Sequence, residues 1–108
     1  MDSTFPALGK YYRVDFVAFQ VILHFSSMTS MTYWNLDNQG RPDGDETVTV
    51  LIEPIGDLLF LVTWQEADKT TVVHIEDYGR QTIITNITNP DLSFQQFHGT
   101  FIEYAAPV

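Results

Sequence analysis

Cysteine is absent from the 108 residues, which excludes disulfides, thiolate nucleophiles and any zinc or iron–sulfur centre built on cysteine. Positive charge is scarce, five Lys and Arg against 14 Asp and Glu, for a net charge of −9. A surface that negative repels phosphate backbones and anionic headgroups, so neither nucleic acid nor a membrane surface is an expected partner. Long apolar runs are missing too. The strongest, Leu58 to Val62, falls far short of the roughly 20 residues that span a bilayer. Met1 to Pro6 contains no basic or apolar leader segment, and the expectation is a cytoplasmic protein. Asn86-Ile87-Thr88 fits the glycosylation acceptor pattern, but without a leader the match has no route to modification. There is no phosphate-cradling glycine run, no Gly-x-Ser-x-Gly, no His-x-His and no His-Glu-x-x-His, so neither a metal nor another cofactor is expected. The acidic cluster Asp43, Asp45, Glu46 reads as a solvated loop.

What is present is the material of a β-structure. Hydrophobic residues make up 44% of the chain, and 15 are aromatic (8 Phe, 5 Tyr, 2 Trp). Val, Ile and Thr add 29 residues of the types that fit a pleated surface. Phe19, Val21, Leu23 and Phe25 alternate with Gln20, His24 and Ser26, the period of two of a strand with one buried face. Comparable runs occupy Lys10 to Asp15, Ser30 to Leu36, Glu46 to Glu53, Leu58 to Glu66, Thr71 to Tyr78, Gln81 to Thr88 and Phe94 to Tyr104. The connections between them are short and rich in Gly, Pro, Asn and Asp, which favours antiparallel neighbours. Closing eight such strands removes the exposed edges of an open sheet. The expected fold is all-β, an eight-stranded up-and-down antiparallel barrel forming one domain over residues 1–108. Its interior is just wide enough to be filled by side chains or to hold one small ligand.

The segment from Trp64 to Asp77 carries the most chemistry. If Phe60, Val62 and Trp64 face inward, parity takes Glu66 inward near the barrel mouth. The facing strand depends on the turn. A two- or four-residue turn sets Val73 and Ile75 beside them, whereas three or five residues substitute Val72, His74 and Glu76. By alternation His24 and His98 point outward.

The runs Phe60-Leu61-Val62-Thr63-Trp64-Gln65-Glu66-Ala67-Asp68, Val72-Val73-His74-Ile75-Glu76-Asp77 and Asn86-Ile87-Thr88-Asn89-Pro90-Asp91 resemble the MoaF-like proteins, small lipocalin-type (calycin) barrels. In that family His74 and the Glu76-Asp77 pair belong to the recurrent pattern, which implies that His74 reaches the cavity. More distantly, the Trp-x-Glu hairpin is similar to that of the phenolic acid decarboxylases. This implies that Glu66 is an acid/base group, that Tyr33 on the third strand serves the site, and that Arg41, after Gly40, faces the substrate. The tyrosine pair that holds the substrate carboxylate in those enzymes has Val14 and Phe16 in its place here.

Together these readings give a cofactor-independent lyase or isomerase acting on an apolar, aromatic or polyketide-like molecule. Glu66 and His74 would be catalytic, and Trp64, Tyr33, Arg41, Phe60 and Val62 would hold the substrate. The alternative is a non-catalytic barrel that binds or carries a hydrophobic small molecule, or one filled by its own aromatics. Apolar residues on both faces of Leu58 to Leu61 also suggest a homodimer.

Overall fold

The computed structural model describes residues 4–104. Eight strands follow one another: β1 (Tyr11–Asp15), β2 (Gln20–Ser27), β3 (Ser30–Leu36), β4 (Pro42–Gly56), β5 (Leu59–Gln65), β6 (Thr71–Asp77), β7 (Thr82–Thr88) and β8 (Phe94–Tyr104). Each pairs antiparallel with the next. β8 returns to β1 with Val14 opposite Phe101, closing an up-and-down barrel. No described helix is long and apolar enough to cross a membrane.

The observed strands match the alternating runs, with one substantial difference. β4 is 15 residues long, almost twice the expected Glu46 to Glu53, because Pro42-Asp43-Gly44 and Pro54-Ile55-Gly56 pair with their neighbours instead of turning away. The register shifts between Trp34 and Leu36 and again between Pro54 and Gly56. Such bulges let a strand absorb residues that otherwise read as turn formers. The acidic cluster Asp43, Asp45, Glu46 therefore lies in a strand, not in a loop.

The two ends of the barrel differ. At one end Phe5 packs edge-to-face on Phe25, Phe60 and Tyr78, at centroid separations of 4.8, 5.1 and 5.4 Å. Tyr12 and Phe101 extend the same cluster. Gly9 N–H donates to the Phe25 carbonyl, tying this segment to the end of β2. Buried aromatics in this geometry contribute both area and ring–ring attraction, so this end is a solid plug. The opposite end carries the β1–β2, β3–β4, β5–β6 and β7–β8 connections and is open.

Gly99 on β8 shapes that open end. A Cβ there would lie 2.5 Å from the Asp15 carbonyl oxygen and 2.8 Å from the Phe16 ring. The missing side chain lets the end of β1 pass close over β8, so that Phe16 folds inward and is buried. Gly99→Ala should therefore displace backbone. We expect a loss of about 1–3 kcal/mol, seen in urea unfolding with an unchanged slope; full wild-type stability would contradict the close approach.

Candidate functional site

Above the plug lies a cavity of about 370 Å³, within the range that holds a single small molecule. Aromatic walls face each other across it: Phe16, Phe19 and Phe97 on one side, Tyr33 and Trp64 on the other. Two titratable side chains other than tyrosine line it, Glu66 and His74.

The β5–β6 turn places His74. Glu66 N–H donates to the Thr70 carbonyl and Lys69 N–H to the Glu66 carbonyl, with Lys69 in the left-handed region at φ 79°. This is a three-residue hairpin loop built on a tight turn and a left-handed residue. It leaves five residues between the strand ends Gln65 and Thr71, and sets Trp64 opposite Val72, Val62 opposite His74 and Phe60 opposite Glu76. Of the two registers open to the sequence, the turn selects the one that turns His74 inward.

Parity then builds a file down the inner wall. His74 Nδ1 lies 2.9 Å from Glu76 Oε2, and the Tyr78 hydroxyl donates to Glu76 Oε1 at 2.6 Å. His74 is 3% exposed and Glu76 1%. A carboxylate buried this deeply needs its lone pairs met, and these two donors meet them. Burial and the neighbouring Glu76 push the Tyr78 hydroxyl well above the ordinary tyrosine range, so it stays a donor. With Nδ1 engaged by Glu76, Nε2 is the ring nitrogen left over. No partner for Nε2 exists among the described residues. The Trp64 ring packs edge-to-face on the imidazole, centroids 4.7 Å apart, and fixes its plane.

A second polar group sits at the mouth. Trp64 Nε1 donates to Glu66 Oε2 at 3.1 Å. The Tyr33 hydroxyl donates to Glu46 Oε1 at 2.9 Å and also stands within hydrogen-bonding reach of Glu66. Glu46 Oε2 accepts from Ala67 N–H at 2.8 Å, joining β4 to the turn. Burial is the largest influence on Glu66 and raises its pKa, against the bond from Trp64 and the nearby Tyr33 hydroxyl and with added repulsion from Glu46 and Asp68. Trp64 thus touches both titratable groups, one at its ring and one at its indole nitrogen.

The structure brings Glu66, His74, Trp64 and Tyr33 together around one cavity. It does not add the other three candidates. Phe60 and Val62 face inward but lie below the cavity lining, Phe60 within the plug. Arg41 is on the exposed β3–β4 connection with its Nε 3.5 Å from Asp37 Oδ2, outside the lining. Glu46, Tyr78 and the wall of Phe16, Phe19 and Phe97 are not singled out by sequence. Stepping back by twos from Val50 and Val48 reaches Glu46, the first residue of the expected run, so its inward direction is legible in the alternation although it reads as part of a solvated acidic cluster. His24 stacks on Tyr11 at 4.0 Å and His98 is exposed, both outside the lining. Among the described residues no group of three or more His, Cys, Asp or Glu is arranged to hold a metal ion.

A closed eight-stranded barrel with a plugged floor, an open mouth and a part-polar cavity defines a calycin-like protein with room for a small ligand. Residues 8–102 match the model of the MoaF-like family, and the chain belongs to it. It is similar to a protein from Burkholderia vietnamiensis described as a candidate beta-lactamase, with a TM-score of 0.84, 26% identity, and coverage of 92% of this chain and 96% of that one. Comparison with curated proteins finds no match.

Two outcomes follow from these bonds. Tyr78→Phe leaves Glu76 one donor short and should cost about 1–3 kcal/mol in urea unfolding, whereas a neutral effect would mean that water replaces the hydroxyl. A carboxyl whose folded pKa is raised contributes stability that is complete below its unfolded pKa and is lost as pH rises through the folded value. Wild type should therefore lose midpoint temperature relative to Glu66→Gln as pH rises across that window, leaving the variant at least as stable near neutrality. A relative gain by wild type would reverse the sign and contradict the desolvation of Glu66.

Proposed function

We propose that this barrel binds one small ring-bearing molecule in the cavity and moves a proton on it, with His74 as the proton-transferring base and Glu66 as the second exchangeable group. The observation that carries this reading is the cavity-facing imidazole of His74, its Nδ1 side held by a buried Glu76 that Tyr78 holds in turn. A histidine backed in this way keeps one tautomer and one ring orientation, and its other nitrogen is left to act.

The chemistry is that of a carbon acid. Nε2 takes a proton from a carbon next to a carbonyl, the C–H bond breaks, and its electron pair delocalises onto the carbonyl oxygen. Returning the proton to another position completes an isomerisation, and returning it to the same carbon is exchange with solvent. Positioned acid/base groups of this kind contribute about 10²–10⁴-fold, and the aromatic walls limit water around the reacting atoms. Among the described residues the cavity lining contains no serine. The second reading, a carrier without chemistry, fits a cavity without titratable groups and so is less well supported here.

Exchange of solvent deuterium into a panel of enolisable aryl ketones, followed by proton NMR, tests the proposal through the carbon-acid step itself, whatever the natural substrate. Ketones that bind should exchange faster than with free imidazole at equal concentration, and His74→Gln should lower that rate by about 10²-fold or more. If every ketone that binds exchanges no faster than with imidazole, the barrel is a carrier.

A further inference from the structure

The charge of the cavity narrows the ligand class. None of the five Lys and Arg residues lines it. Lys10 pairs with Glu103, Arg41 with Asp37, and Arg13 bonds Gln20, while Lys69 and Arg80 are exposed in turns. Glu66 and Glu46 have no cationic partner among the described residues, and Glu46 is near enough to repel Glu66. At the other end of Trp64, His74 is buried and lines the same cavity, with no partner for Nε2 among the described residues. What a ligand's charge meets near the mouth is therefore an acidic group without a cation beside it. An anionic ligand would find no Lys or Arg in the lining and would sit against Glu66. A cation would find the Glu66 carboxyl with no competing positive charge, while its ring packs between the aromatic walls.

We infer that the cavity selects an aromatic amine-bearing molecule over its neutral and carboxylate counterparts, with the ammonium group at Glu66 and the ring between the aromatic walls. This rests on the proposed function in that it uses the same cavity, and it adds the charge of the molecule held there. The carboxylate accepts N–H bonds from the ammonium, and any proton that burial keeps on Glu66 leaves to solvent or to the amine nitrogen as the pair forms. The resemblance to decarboxylases implies a carboxylate substrate held by a tyrosine pair and faced by an arginine. Arg41 outside the cavity and Glu66 inside it point the opposite way.

The test compares benzylamine, benzyl alcohol and benzoate, alike in size and different in charge, by calorimetric titration of the full chain at neutral pH and moderate salt. Benzylamine should bind at least about tenfold more tightly than benzyl alcohol, a difference of about 1.4 kcal/mol, and benzoate most weakly. Glu66→Gln should erase the preference for the amine while circular dichroism stays unchanged. Glu53→Gln, which removes the same charge from the exposed outer face, should keep that preference. Equal affinity for the three, tighter binding of benzoate, or loss of preference in both variants overturns the inference. Binding of none of them also overturns it, and titration with the neutral dye Nile red then separates the two ideas. Dye uptake keeps the cavity as a binding site for neutral molecules, whereas no uptake removes the proposed function as well.

Discussion

Lys69 occupies the left-handed backbone region at φ 79°, and the side of the barrel wall on which β6 presents its histidine follows from that turn. A strand alternates its side chains with period two, so one residue more or less in the connection would move His74 and Glu76 to solvent and Val73 and Ile75 to the cavity. Side chains around the turn help to hold it at this length. Asp68 accepts from Thr70 N–H, and Glu46 of β4 accepts from Ala67 N–H. The same Glu46 receives the Tyr33 hydroxyl, so the contacts that fix the register also assemble the mouth of the site.

Once β6 is set, the interior contains a polar file that packing alone does not call for. A buried ion pair or hydrogen-bonded acid is in general no more stabilising than apolar residues of similar shape, while removing one partner is costly. Phe60 and Val62, the inward residues across from Glu76 and His74, show the apolar alternative within the same barrel. Stability therefore does not account for His74, Glu76 and Tyr78. Their arrangement is understandable as the support of one cavity-facing nitrogen, in the way that an outer hydrogen bond orients a working imidazole elsewhere. Packing is divided accordingly. The aromatic plug around Phe5 supplies cohesion at the floor, and the aromatic walls above it enclose space.

Much of this is legible in the residues. The alternation in Phe19 to Phe25 and in Phe60 to Trp64 marks strands with an assigned inner face, and turn chemistry between eight such runs implies the closed barrel. Glu66 near the mouth follows from the same parity. His74 does not, because its face depends on the turn length, and turn length is decided by backbone geometry at Ala67 to Lys69 that the residue types leave open. β4 reads too short because Pro42, Gly44, Pro54 and Gly56 have the composition of turns, and a bulge cannot be seen in composition. Glu46 begins that shorter run, but its company with Asp43 and Asp45 makes it read as part of a solvated acidic cluster. Tyr78 closes the run that starts at Thr71, so its face shares the ambiguity of His74 and Glu76, and its ring is packed in the floor. Arg41 comes from resemblance alone, and the connection that carries it pairs the guanidinium with Asp37, away from the cavity.

The proposed chemistry depends on His74, buried at the cavity wall with Nδ1 engaged by Glu76. Long-range proton–nitrogen correlation NMR of the three histidines tests that state directly. The expected spectrum shows the His74 Nδ1 proton bonded to Glu76, and an Nε2 resonance that moves when a ligand enters while His24 and His98 stay still. A His74 protonated on Nε2, or a rapidly averaging mixture of tautomers, would contradict it.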